Sequence, residues 1–397
     1  MPEFQPFRAA RWVVDSPSDV AALVAPPYDV MDVEERDARA AAHPRNIVRV
    51  DYPVERDGPS RYDAAAALLR EWFAAGVVAL DPTPTFSLYR MRFTDDSGRE
   101  RSTVGVIGAL EVVDEGAPGV LPHERTTPKA KTDRLDLTRA TRANLSPVWG
   151  LSLTAGLSSL LQEPGLLVAT VTTDDGVTHT LESVTDPDRI ARIAEAVSSR
   201  PVLIADGHHR YAISRTYRDE RRATGPDAPA GLTMTLVQEL VEEQLGIAAI
   251  HRLVAGLTSD EVLERLAPFY DPSDAGEVSR STLRGMQERG ALCLVSHDGR
   301  GTFLAPKPRV FDAVRELDSA RLEHALGDAI SAVTYQHGVN EVISKVRNGA
   351  ASCAVLIRPV SIAEIRRTAD TGELMPPKST FFTPKPLTGM LWRMLDA

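Results

Sequence analysis

Cysteine is nearly missing from this 397-residue chain, which has only Cys293 and Cys353. Two thiols make neither a disulfide framework nor a zinc knuckle. Each sits in an apolar run, Ala-Leu-Cys-Leu-Val and Ser-Cys-Ala-Val-Leu, where a small buried thiol is the expected role. No stretch approaches the roughly 18 uninterrupted apolar residues of a membrane-spanning helix. The opening Met-Pro-Glu-Phe-Gln-Pro-Phe lacks the basic-then-apolar profile of a secretion signal. Positive charge is short as well, with 45 Lys and Arg against 55 Asp and Glu and a net charge of -10. Such a surface repels nucleic acid and anionic lipid at long range. The expectation is a soluble cytoplasmic protein with no nucleic-acid and no membrane partner, in which any phosphate must be held by a local basic site. Several catalytic signatures are missing too: Gly-x-x-x-x-Gly-Lys-Ser/Thr, Gly-x-Gly-x-x-Gly, Gly-x-Ser-x-Gly and His-Glu-x-x-His.

What is present suits a large core, since 43% of residues are hydrophobic. The length suggests two or three domains, because single cores stop growing near roughly 250–300 residues. Ala65, Leu68, Leu69, Trp72 and Phe73 recur at helical spacing and predict a helix over 61–75, stopped at Gly76. Tyr89, Met91 and Phe93 alternate with Arg90 and Arg92, predicting a strand over 86–93. Asp95-Asp96-Ser97-Gly98 turns it into a partner strand over 102–113, and a second hairpin is read over 166–184. Asp186-Pro187 opens a helix over 187–199, with a capping acid followed by Pro at the first helical position. Pro201-Val-Leu-Ile-Ala205 is fully apolar and reads as a central strand, followed by an Arg-rich helix over 211–223. The C-terminal part predicts helices over 258–266, 318–326, 339–348 and 361–370, and strands near 291–296, 302–305 and 353–358. The Gly- and Pro-rich stretch over 224–231 marks a boundary between an N-terminal α+β domain, 1–230, and a C-terminal α/β region, 231–397. The fold class is α+β or mixed α/β, not a doubly wound dinucleotide fold.

Chemistry concentrates at Ala205-Asp206-Gly207-His208-His209-Arg210-Tyr211. Gly207 permits a sharp bend and close approach of a ligand. The unpaired amides of a helix start attract anions, and Arg210 adds a bidentate phosphate donor. Asp206 could hold magnesium through water or accept a proton. A second segment, Leu121 to Arg134, has little apolar content and interleaves both charges, as a long functional loop would. There Arg125, Lys131 and Arg134, with Arg142 and Asn144 just beyond, suit phosphate binding while His123 or Glu124 moves a proton. Ala25 to Val30 and Met375 to Thr380 read as proline-stiffened connectors, although Lys378, Ser379 and Thr380 could touch an anionic group and the tail is expected to return to the site.

These segments together resemble the bacterial and archaeal family catalogued as domain of unknown function 1015. The residues that carry the resemblance are Val24–Val30, Leu121–Thr126, Lys131–Leu135, Arg139–Pro147, Ala205–Tyr211 and Met375–Thr380. More distantly, Asp206-Gly-His-His-Arg210 is similar to the nucleotide-binding signature of the ParB and sulfiredoxin superfamily, which includes kinases of free serine. The resemblance implies a ParB/sulfiredoxin-like core, ATP or ADP and magnesium as cofactors, and phosphates held by Gly207, His208, His209 and Arg210. His251-Arg252 keeps a His-Arg pair amid different neighbours, and His337 lacks a following acid, so neither is given a role.

Three functions compete. The first is a nucleotide-dependent phosphotransferase acting on a small hydroxyl metabolite such as serine, or in reverse on phosphoserine. The second is a metal-dependent hydrolase that gathers His123, Asp133, Asp206, His208 and His209. The third is a non-catalytic nucleotide-binding regulator. Oligomeric state is not written in the sequence, with a homodimer among the candidates. The phosphate reading requires His209 and Arg210 to face the 123–134 segment, not bulk solvent.

Overall fold

The computed structural model describes every residue except 59, 96–97, 125–130, 224–228, 377 and 397, and only the backbone at 57, 131, 132 and 330. Alternation in the first hairpin becomes two buried faces. Tyr89, Met91 and Phe93 of strand Phe86–Thr94 pack into the larger hydrophobic core, while Phe86 and Leu88 enter a second core on the opposite face. Strand Glu100–Glu111 pairs with it antiparallel, as the sequence predicts; part of the intervening turn, 96–97, lies outside the described residues. The hairpin Leu166–Thr172 and Thr178–Val184 continues the same sheet.

The nine-stranded sheet runs, from one edge, Val120–Pro122, Val202–Asp206, Val148–Ser152, Leu232–Glu239, Glu100–Glu111, Phe86–Thr94, Thr178–Val184 and Leu166–Thr172, with Phe4–Gln5 beside Glu100–Glu111. Two pairings in it are parallel, 202–206 with 120–122 and 232–239 with 148–152, so the fold is mixed α/β. Strand Val202–Asp206 is one place in from the edge, not central. Its apolar run has another cause: Leu203 and Ala205 pack in one core, Val202 and Ile204 in the other. Helix Pro187–Ser198 covers that second face with Ile193 and Val197, and Asp186 caps it by accepting from the Arg189 amide at 2.7 Å.

A second, six-stranded sheet is antiparallel, in the order Tyr270–Glu277, Arg300–Pro306, Leu292–Val295, Cys353–Leu356, Ile250–Val254 and Val333–His337. Both cysteines are free and buried in it. Strand Leu232–Glu239 fills the middle of the first sheet, and Trp392–Met394 pairs with Ala9–Trp12 and Ala143–Asn144 in a small sheet. Trp392 locks this return by packing 5.2 Å from Trp12. The loop expected over 224–231 lies mostly outside the described residues.

Candidate functional site

The strand Val202–Asp206 ends at the bend the sequence predicts, with Gly207 at φ +84°. The helix starts earlier than expected, at His208, because Gly207 itself supplies the first carbonyl, which accepts from the Tyr211 amide at 2.9 Å. His208, His209 and Arg210 thus form the first turn, where amides lack carbonyl partners within the helix. A Cβ on Gly207 would lie 3.0 Å from Nε and 3.1 Å from Cζ of Arg210. Glycine therefore lets the arginine fold back. Its guanidinium donates to the Pro147 carbonyl and, at 2.5 Å, to Asp206.

Asp206 has a second cation, Lys385, whose Nζ donates to Oδ1 at 2.5 Å. Burial pushes the Asp206 carboxyl up, but Lys385 and Arg210 outweigh it and hold the group below the usual carboxylate range. Both oxygens are thus taken by cations, and Asp206 as it stands does not fit a magnesium ion. Lys385 was missed by sequence reasoning. It stands outside any motif, 179 residues from its partner, and only the returning tail delivers it.

The 121–124 and 375–380 segments meet here. The Met375 amide donates to the His123 carbonyl at 3.0 Å, and Glu124 bridges Met375 in parallel. His123 is fully enclosed: Nδ1 lies 2.6 Å from the Ile204 carbonyl and Nε2 2.7 Å from the Thr380 hydroxyl. A carbonyl can only accept, so Nδ1 carries the proton and the Nε2 lone pair takes the Thr380 O–H. Burial lowers the ring's pKa to about 4. His123 therefore ties strand, loop and tail together, with both ring nitrogens engaged.

Glu124 has the opposite character. Its Oε2 is buried without a hydrogen-bond partner among the described residues. Burial pushes its carboxyl up to about 7, against the pull of Lys378 and of the Ser379 amide. The His208 ring packs 4.9 Å from that of His123, its Nε2 has no hydrogen-bond partner among the described residues, and burial depresses its pKa to about 3. His209 is half-buried beside it.

The other predicted residues divide. Arg134 stacks on Tyr28, with Cζ 3.6 Å from the ring centroid, and its guanidinium reaches the buried Asp51. Arg134, Asn144 and Arg210 line one cavity. Arg142 is half-exposed, 3.8 Å from Asp396, and is not part of that lining. Lys378 is exposed in the left-handed region at φ +60°, with its carbonyl 3.4 Å from Arg252. The Ser379 hydroxyl donates to Pro376 at 2.7 Å, and Thr380 holds His123. Arg125 and the Lys131 side chain lie outside the described residues, and Asp133 accepts from Tyr62 at 2.5 Å. His251 is buried and accepts from the Ile357 amide at 3.3 Å, while His337 stacks on Phe381. Among the described residues no group of three or more His, Cys, Asp and Glu side chains could hold a metal ion.

No helix among the described residues is long and apolar enough to cross a membrane. No curated protein matches the chain. Among solved structures, a conserved hypothetical protein from Pyrococcus furiosus aligns with a TM-score of 0.36 and 13% identity, over 70% of this chain and 92% of that one. A free serine kinase mutant in complex with ADP aligns at 0.36 and 15%, over 66% and 84%. SbnI with a C-terminal truncation, from Staphylococcus aureus, aligns at 0.38 and 13%, over 71% and 85%. At those scores the likeness carries nothing about activity. The model of a family of proteins of unknown function, DUF1015, matches residues 4–320, and the chain belongs to that family.

Proposed function

We propose that this chain, on a core of the ParB and sulfiredoxin kind, is a phosphotransferase that moves a phosphoryl group between ADP or ATP and a small hydroxyl metabolite, with serine and phosphoserine as the first pair to test. Glu124 carries the reading: a buried carboxyl with an oxygen that has no hydrogen-bond partner among the described residues and a pKa near 7, under the influence of Lys378 and Lys385. A general base works best with a pKa near the working pH. Phosphoryl transfer otherwise asks for positioning and positive charge more than for covalent chemistry.

The donors suit a nucleotide's phosphates. First-turn amides at His208 and His209 sit behind a glycine bend, with Lys378 exposed nearby and Lys385 fixed on Asp206. Bound nucleotide would supply the phosphoryl group or accept it. In the forward direction the substrate hydroxyl gives its proton to Glu124 as its oxygen bonds to phosphorus and the bond from phosphorus to the leaving oxygen breaks. In reverse, Glu124 returns the proton.

The test is phosphorus NMR of the whole chain with ADP or ATP plus serine or phosphoserine, alongside calorimetric titration of the nucleotides. Wild type should bind nucleotide and exchange phosphate. Glu124→Gln should cut exchange by roughly 10²-fold or more while binding persists. Exchange that survives in that variant overturns the base, and wild type that binds no nucleotide overturns the whole reading. Binding without exchange in wild type favours a regulator.

A further inference from the structure

Five stretches of the chain wall one cavity of about 50 Å³: Tyr28, Asp51, residues 134–148 with Arg134, Asn144 and Ser146, residues 210–214 with Arg210, and Thr233. A water molecule needs about 10–15 Å³ of such space, so the cavity has room for about four small groups. That space is on the scale of a carboxylate or a phosphate. Its lining sets two guanidinium groups, from helices Lys131–Thr141 and His208–Ala223, against one carboxyl, Asp51.

The Tyr28 face holds the Arg134 guanidinium in place. Its Nη1 is engaged by Asp51, but among the described residues its Nε is buried with no hydrogen-bond partner and lies in ion-pair range of Asp133 at 3.4 Å. A buried donor of this kind gains when a ligand oxygen reaches it. Ser146 donates to Asp51 at 3.2 Å. Asn144 accepts from the Met234 amide through Oδ1 at 3.0 Å, which leaves Nδ2 as the donor it can offer. Outside the lining, Asp206 serves Arg210 and Lys385 together, and Asp29 lies 3.8 Å from Lys385.

We infer that this cavity is a subsite for a small oxyanion, a carboxylate or a phosphate, gripped by Arg134 and Arg210. Binding there does not depend on the phosphotransfer reading. Only the next step rests on it: the acceptor is an anionic hydroxyl compound whose charged end enters the cavity. Arg210 joins the two halves, since it lines the cavity and also holds Asp206.

Nucleotide-free whole chain is titrated with inorganic phosphate and separately with glycolate at constant ionic strength, read by NMR line broadening and thermal shift. Saturable binding of at least one is expected, and the preferred probe tells phosphate from carboxylate. Arg134→Gln and Arg134→Lys should each weaken it at least tenfold, the lysine because an ammonium cannot reproduce the planar fork. If the glutamine variant does not fold, the lysine variant decides. Wild type that binds neither probe, or a folded Arg134 variant that binds as well as wild type, overturns the subsite. Either failure leaves phosphate exchange to be judged separately, and exchange lost with oxyanion binding intact counts against the phosphotransfer reading alone.

Discussion

At Glu124 the carboxyl has lost the water that would keep it ionised, and Lys378 restores only part of that stabilisation. The folded chain therefore holds this proton more tightly than the unfolded one, whose glutamate titrates near 4.5. Stability is lost as pH rises from about 4.5 to about 7, with a ceiling of about 3 kcal/mol. Glu124→Gln, a neutral isostere, should be more stable than wild type by about 1–3 kcal/mol at pH 8 and little different at pH 4.5. Urea unfolding at the two pH values checks this, and equal stability at pH 8 refutes it. Any phosphate exchange should rise on an acid limb with an inflection near pH 7. His123, one residue earlier, contributes nothing to that limb because the Thr380 hydroxyl fills its lone pair. The sequence pairs these two residues as interchangeable proton carriers. Only the bonds to Ile204 and Thr380 separate them.

The strand–bend–helix unit was legible because its signals are local. An apolar run, a glycine and a polar helix start need nothing beyond neighbouring residues. Its details were not: Arg210 turns back on the glycine instead of pointing outward, a geometry made by Pro147 and Asp206. Two glycines with the same φ of +84° separate backbone strain from this contact, since a Cβ on Gly176 meets nothing within 4 Å. Gly176→Ala should lose roughly 1 kcal/mol, the cost of a left-handed alanine, and keep any activity. Gly207→Ala should lose more, about 1–3 kcal/mol, because Arg210 must also shift by a few tenths of an ångström against its bonds to Asp206 and Pro147. Equal losses in the two variants would show that the arginine contact contributes nothing. Strands Leu232–Glu239 and Ile250–Val254 carried less local signal. Both are buried along most or all of their length, with polar Thr233, Thr235, Gln238, His251 and Arg252 buried alongside the apolar residues, so burial there does not follow side-chain polarity.

Across the whole molecule, His123, His179, His208 and His251 are buried neutral, with pKa values pushed down to about 4, 4, 3 and 4. Below about pH 6.5 the unfolded chain takes up protons that the folded chain refuses, so stability falls as pH falls toward 4. Acid unfolding should be steep over that window, with about three protons taken up per molecule, since the extra proton that the folded chain holds on Glu124 offsets one of the four. Stability curves at half-unit pH steps check this, and a flat profile between 6.5 and 4.5 would contradict the burial of these rings. Composition, element types, the glycine bend and the crowding of charged segments were determined by the sequence alone, because each depends on residues close together in the chain. The tertiary structure decided which charges meet: Lys385 on Asp206, Thr380 on His123, and Arg134 with Arg210 around one cavity. Such encounters are set by strand order and by the tail returning to Ala9–Trp12. No local propensity encodes them, since the energy that selects them exists only after distant apolar faces have closed over one another.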